Sequence, residues 1–192
     1  TVLDAAALGV LAGAGLWERP MAVYPRPRVL LAGTGDELVR PGQPLKPGQI
    51  YNSNLPQLAA RCRQLGLAAD TVWWPDDPRA VADGLTAGVR DFDCVITTGG
   101  VSVGDKDIFH QALPLAGAER LFWRVKLKPG TPLMFSLLEG RPVLSLSGNP
   151  FAAAATFELL ARPLLAALAG QRDWQPLTLT APLATPFSKA SG

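Results

Sequence analysis

The run from Thr97 to Asp107, TTGGVSVGDKD, gathers glycine, hydroxyl and carboxylate side chains directly after an apolar stretch. Paired glycines let backbone N–H groups approach an anion closely, and a helix opening at Asp107 adds a favourable dipole. Gly99, Gly100 and Ser102 are therefore candidate phosphate contacts. A Gly-Gly pair also serves a plain strand-to-helix turn, so Ser102, Asp105 and Asp107 carry the functional reading. The same run contains Gly100-Val-Ser-Val-Gly104, the nucleophile-elbow pattern of serine hydrolases. A triad needs a histidine base, and the single histidine, His110, falls just inside the following helix, which argues against that chemistry. His110 itself reads as a helix-surface or core residue.

A second loop, TGDEL from Thr34 to Leu38, again follows a strand-like run. Thr34 and Gly35 are candidate ligand contacts there. Asp36 and Glu37, with Asp76, Asp77, Asp105 and Asp107, form a set of carboxylates expected at one edge of a sheet. Oxygen ligands of this kind suit Mg²⁺, which takes one or two carboxylates together with substrate phosphate oxygens. Asp36, Glu37 and Asp105 are the candidate metal ligands, Glu37 and Asp107 the candidate catalytic groups. Helix capping accounts for Asp77 and offers an account of Asp107, but gives Glu37 no role.

Two further elements are basic or anion-seeking. Arg120, Arg124, Lys126 and Lys128 precede Pro129-Gly130, and on a strand Arg124, Lys126 and Lys128 would share one face. Such a face is either solvated or an anion site, and the neighbouring glycine loops favour the anion site. The run LSLSGNPF, Leu144 to Phe151, closes a strand on Ser147, Gly148 and Asn149 before a helix begins at Pro150, giving a second anion-binding edge. A dinucleotide fingerprint is not met, since Gly33-Thr-Gly35-Asp-Glu-Leu38 lacks the third glycine, and no Walker loop is present.

The elements that must position these loops alternate between strand-like and helix-like runs, the pattern of a three-layer α/β/α domain with a mostly parallel sheet. Strands are expected over Val29–Ala32, Asp70–Trp74, Cys94–Thr98, Phe122–Leu127, Pro132–Leu137 and Pro142–Leu146. Helices are expected over Thr1–Gly15, Asn54–Leu65 with Gly66 as its left-handed stop, from Asp77-Pro78, from Asp107 to Ala116, and from Pro150 onward. The last carries Phe157, Leu160, Leu164 and Leu168 as its apolar stripe, with a kink expected at Pro163. In open α/β sheets ligands bind at the carboxyl ends of strands, where these loops lie.

Composition bounds the partners. The chain has 192 residues, 48% hydrophobic and 18% charged, enough to bury a core. A net charge of +2 gives no reason to expect a nucleic acid. The longest apolar segment, Phe151 to Gly170, is interrupted by Glu158 and Arg162, so no membrane span is expected, and no basic run precedes the N-terminal helix as in a signal peptide. Cys62 and Cys94 lack metal or redox spacing and read as buried thiols of a reducing compartment, which favours the cytoplasm.

Five motifs in register, TGDEL, PGQPLKPGQIYNSN (Pro41 to Asn54), TTGGVSVGDKD, KLKPGTPLMF (Lys126 to Phe135) and LSLSGNPF, resemble the third domain of molybdopterin molybdenumtransferases of the MoeA and gephyrin E-domain type. The resemblance spans about Val2 to Gly170. It implies a molybdopterin-binding domain over 1–170, then a linker and the truncated start of a C-terminal β-domain over 171–192. It also implies a homodimer and a Mg²⁺-dependent reaction in which molybdate joins the dithiolene of molybdopterin adenylate as AMP leaves. By the same resemblance Glu37 matches an important acidic residue, Asp107 closes the glycine loop, Lys128 is the lysine of the KPG motif, and Arg124 falls at a basic position. The sequence departs from the family pattern at Ser147, commonly proline, at Ala152, often serine, at Thr131, often lysine, and at Asn52, often aspartate. Two rivals share the fold: a molybdopterin adenylyltransferase, whose loop usually reads TGGTG, and a non-catalytic scaffold module.

Overall fold

The computed structural model describes residues 2–101, 107–172 and 178–186. Its centre is a six-stranded sheet made of β1 (Val29–Thr34), β4 (Ala69–Trp74), β5 (Cys94–Thr98), β6 (Glu119–Trp123), β7 (Met134–Leu138) and β8 (Arg141–Leu146). The spatial order is β4-β1-β5-β8-β7-β6. β4, β1, β5 and β8 run parallel, while β7 is antiparallel to both of its neighbours. The reversal follows from a two-residue turn, Glu139-Gly140, in which both residues are left-handed (φ 51° and 75°), the geometry that matches strand twist.

Helices cover both faces. α3 (Pro78–Asp91) and α4 (Ile108–Leu115) lie on one side, where Val81, Leu85, Phe109 and Leu113 pack against Leu30, Val95 and Val143. α2 (Asn54–Gln64) lies on the other with α5 (Pro150–Thr156), a π-helical turn over Phe157–Ala161, and α6 (Arg162–Leu168). There Leu58, Phe157 and Leu165 pack on Leu31, Ile96 and Leu144. Successive residues of β1, β5 and β8 thus feed opposite cores, as the period of two demands, and all but Arg141 at the start of β8 are buried because both faces are covered. Cys62 and Cys94 are buried free thiols in the second core; burial pushes the Cys62 thiol up to about 11 and that of Cys94 higher still.

The N-terminal helix is present as α1 (Ala5–Gly13), capped by Asp4, whose carboxylate accepts from the Ala7 N–H at 2.8 Å, and it buries none of its residues. Several expectations need correction. The strand expected over Phe122–Leu127 occupies Glu119–Trp123, because Arg124 takes a left-handed backbone (φ 67°) that no strand tolerates. Arg124, Lys126 and Lys128 therefore do not share a strand face. The Pro132–Leu137 strand starts at Met134. Two short strands, β2 (Leu38–Val39) and β3 (Ile50–Tyr51), form a separate parallel ribbon that no periodicity announced. Near Pro163 the chain accommodates the missing N–H beside a π-helical turn. Pro176 to Leu183 alternates like a strand in sequence, but its described part, Thr178 to Leu183, takes no strand; Pro176 and Leu177 lie outside the described residues. By length and composition Pro150–Leu168, 19 residues of mean hydropathy 1.5, would reach across a membrane, but Ala153, Phe157, Ala161 and Leu165 are core residues of this domain.

Candidate functional site

β1 leads to β4 on one side and β5 joins β1 on the other, so the order of connection reverses between β1 and β5 and opens a crevice at their carboxyl ends. The loops leaving β1, β5 and β8 meet there. A Cβ added to Gly99 would stand 2.4 Å from the Thr34 carbonyl oxygen, one on Gly100 2.9 Å from Thr34 Oγ1, and one on Gly148 3.3 Å from Gly99 Cα. Gly99 and Gly100 are also left-handed, at φ 89° and 59°. The Gly-Gly pair is thus required twice, by backbone conformation and by the closeness of the Thr34 strand end.

Asn54, the first residue of α2, fastens the loops from the opposite face. Its amide nitrogen donates to Thr98 Oγ1 at 2.7 Å and to the Gly148 carbonyl at 2.9 Å. Asn52, just before, accepts from the Leu55 N–H at 3.2 Å and fits against Gly33. Among the described residues, Thr34 Oγ1 and Asn54 Oδ1 are buried here without a hydrogen-bond partner. Buried polar atoms in native proteins nearly always have partners, so a donor hydroxyl and an acceptor amide oxygen left open beside a glycine loop fit a missing ligand.

Carboxylates line the β1–β4 side. The Glu37 carboxylate lies over Gly35, with Oε2 2.9 Å from where a Cβ would stand. The β2–β3 ribbon holds this turn in place, since the Ile50 N–H donates to the Glu37 carbonyl at 2.9 Å. Asp36 and Asp76 exchange bonds, the Asp36 N–H donating to Asp76 Oδ2 at 3.2 Å and the Asp76 N–H to Asp36 Oδ1 at 3.4 Å. Partial burial raises the Asp76 carboxyl above its ordinary range, the Asp36 N–H opposes this, and the negative charges of Asp36 and Glu37 add to the rise. Like charges held together favour a cation beside them. Among the described residues, however, no group of three or more His, Cys, Asp or Glu is arranged to hold a metal ion. Asp105 and Ser102 lie outside the described residues.

The other candidates divide. Ser147 is buried, and its Oγ accepts from the Asn149 N–H at 3.3 Å. The Asn149 side chain caps α5 by accepting from the Ala152 N–H at 3.0 Å, which uses its oxygen structurally. Asp77 caps α3, accepting from Ala80 N at 2.8 Å. Asp107 sits at the N-cap position of α4, is 6% exposed, and makes no side-chain cap bond, so capping does not explain it. Arg124 and Lys128 are exposed on the loop between β6 and β7, at the same edge of the sheet but two strands beyond β8. Residue reasoning overlooked Asn54, although an asparagine opening a helix after Asn52-Ser53 was a visible signal.

A separate groove of about 430 Å³ borders this edge, lined by Arg40, Asn52, Leu55, Arg63 and Trp73; it shares Asn52 with the crevice but none of the glycine loops.

Comparison with known proteins shows the family. Residues 32–167 match the family model described as a probable molybdopterin binding domain. The chain is 38% identical over 184 residues to the molybdopterin molybdenumtransferase of Nostoc sp., covering 92% of the chain and 41% of that protein. It is 39% identical to molybdopterin molybdenumtransferase 2 of Mycobacterium tuberculosis over 98% of the chain and 48% of that protein. The crystal structure of the molybdopterin biosynthesis MoeA protein from Pyrococcus horikosii superposes with a TM-score of 0.66 at 29% identity, covering 76% of this chain and 36% of that one. The chain thus spans less than half the length of these curated relatives.

Proposed function

The chain belongs to the family of probable molybdopterin binding domains, and from that premise we propose that it is the central part of a molybdopterin molybdenumtransferase, accepting molybdopterin adenylate and molybdate and releasing AMP. The observation that carries this reading is the junction of Thr34, Gly99, Gly100 and Gly148 with two unpartnered buried atoms, Thr34 Oγ1 and Asn54 Oδ1. Backbone amides of a left-handed Gly-Gly turn bind phosphate oxygens, and the Thr34 hydroxyl is placed to donate to the same group. Arg124 and Lys128 supply positive charge for a polyanionic substrate from the neighbouring loop.

Glu37 is assigned to chemistry. Its carboxylate orients a water and takes its proton as the oxygen joins the adenylate phosphorus. The bond from that phosphorus to the molybdopterin phosphate oxygen breaks, and AMP departs with the water oxygen. Molybdate meanwhile condenses with the dithiolene sulfurs, losing oxide as water. Asp107 is assigned to the same site by its burial at the point where the glycine loop passes into α4. Mg²⁺ belongs to the reading as a substrate-completed ion: Asp36 and Glu37 would hold it, phosphate oxygens would fill its other positions, and when bound it would offset phosphate charge. A homodimer of the full-length protein, working in the cytoplasm, is part of the same reading; the buried free thiols Cys62 and Cys94 fit a reducing compartment.

Titration of the chain with adenylylated molybdopterin tests the binding half of this reading. Saturable binding, lost when Gly99 is replaced by a bulkier residue in a still-folded protein, supports it. Absence of binding by both this chain and the full-length protein contradicts it.

A further inference from the structure

Two consecutive residues of a strand point to opposite faces of the sheet and cannot stack on one another. Trp123 and Arg124 do stack: the Arg124 guanidinium carbon lies 4.2 Å from the centroid of the Trp123 ring. What permits it is the left-handed backbone at Arg124 (φ 67°), one of two such non-glycine residues among those described; the other, Glu139, belongs to a hairpin turn. That conformation turns the chain out of β6, with the Arg124 N–H donating to the Leu133 carbonyl at 2.7 Å, and brings the guanidinium back over the indole.

The indole is braced in turn. The His110 ring meets it edge to face, with centroids 4.3 Å apart and planes at 85°. His110 Nδ1 lies 3.0 Å from Arg120 Nη1, and because a guanidinium only donates, Nδ1 is the acceptor of that bond. Arg120, His110, Trp123 and Arg124 therefore form one continuous line of contacts from β6 to the start of α4 and back to the loop carrying Arg124. The Trp123 N–H is buried and finds no hydrogen-bond partner among the described residues. A purely space-filling role would be better served by phenylalanine, which buries no unpaired donor. What tryptophan adds is its face, the strongest aromatic partner for a cation, and Arg124 lies over that face.

We propose that Trp123 is a positioning residue, whose indole face, backed by His110 and Arg120, holds the Arg124 guanidinium at the edge where anionic substrate binds. The proposal rests on the assignment of Arg124 to substrate binding made above. Because α4 begins at the end of the glycine loop, the same line of contacts ties Arg124 to the α4 side of the crevice.

The test uses Trp123→Phe, Arg124→Ala and the double variant in the full-length protein, with adenylylated molybdopterin as the probe. Arg124→Ala is expected to weaken binding about tenfold, the size of one hydrogen bond to a charged group. Trp123→Phe is expected to keep or raise the melting temperature and yet weaken binding severalfold, and the double variant to bind no more weakly than Arg124→Ala alone. The NMR resonance of the Arg124 Nε–H, shifted upfield by the indole ring current, should move downfield in Trp123→Phe. Wild-type affinity in Trp123→Phe, or losses that multiply in the double variant, would overturn the positioning role while leaving Arg124 in the site. A ring-current shift in the parent protein with full binding by Arg124→Ala would instead overturn the substrate assignment and the proposal with it.

Discussion

At the scale of single residues, backbone conformation and unpaired atoms distinguish the site more sharply than charge does. Gly99→Ala places a Cβ against the Thr34 carbonyl oxygen on a left-handed backbone, so it should cost about 3 kcal/mol or more, read as a lower denaturation midpoint with an unchanged m-value. Gly117→Ala, left-handed but in open space, should cost only about 1 kcal/mol. Asp76→Asn isolates the electrostatic strain of the acidic turn. Its carboxyl is raised in the folded state, so the ionised form is disfavoured there. The wild type is then handicapped once pH rises through that raised value and unhindered below the unfolded value of about 3.9. The variant should melt higher than wild type at pH 7 and equally at pH 3. An unchanged difference at both pH values would show that the cause is not ionisation. That the glycine loops and Glu37 lie at the carboxyl edge of the sheet was legible in the sequence, because each follows directly on an apolar strand-like run. The part played by Asn54 was not, because its two acceptors, Thr98 and Gly148, lie 44 and 94 residues away and only the closed fold brings them to it.

At the scale of elements, the parallel strands were legible because burial on both faces demands continuous apolar runs such as Val29–Ala32 and Cys94–Thr98. β6 was misplaced because the residues after it, Arg-Val-Lys-Leu, alternate like a strand, while the left-handed backbone at Arg124 ends the strand before them. The β2–β3 ribbon, two residues in each strand, is shorter than any periodicity can register. One contact between elements allows a separate measurement. Arg61 of α2 pairs with Glu158 of the π-helical turn through two bonds, the second from Nη2 to Oε2 at 3.0 Å. This holds the Glu158 carboxyl below its ordinary range, chiefly by hydrogen bonding to Arg61. The stabilisation is present above the unfolded carboxylate range and is lost as pH falls through the lowered folded value. The side chains are 32% and 39% exposed, so screening keeps the gain small. Glu158→Gln should lower stability by less than about 1 kcal/mol at pH 7, and by nothing at pH 2.

At the scale of the whole molecule, a domain that matches its family over residues 32–167 carries the crevice, the carboxylates and the basic loop on one edge of one sheet. The curated relatives are more than twice as long, and the family resemblance implies that essential contacts lie outside this domain. The isolated chain is therefore expected to bind adenylylated molybdopterin but to release AMP far more slowly than the full-length protein, a comparison made at equal substrate saturation. The decisive experiment concerns Glu37, the residue on which the proposed chemistry rests. In the full-length protein, with adenylylated molybdopterin and molybdate, the rate of AMP release and the substrate affinity are measured for wild type, Glu37→Gln and Lys128→Ala. A transition-state group should cost rate and spare affinity, so Glu37→Gln should slow AMP release by at least about a hundredfold at nearly unchanged affinity. Lys128→Ala should weaken binding by about tenfold to a hundredfold, the cost of a lost hydrogen bond to a charged group. If Glu37→Gln instead keeps its rate and loses affinity, or releases AMP like wild type in every respect, the catalytic account of this site is wrong.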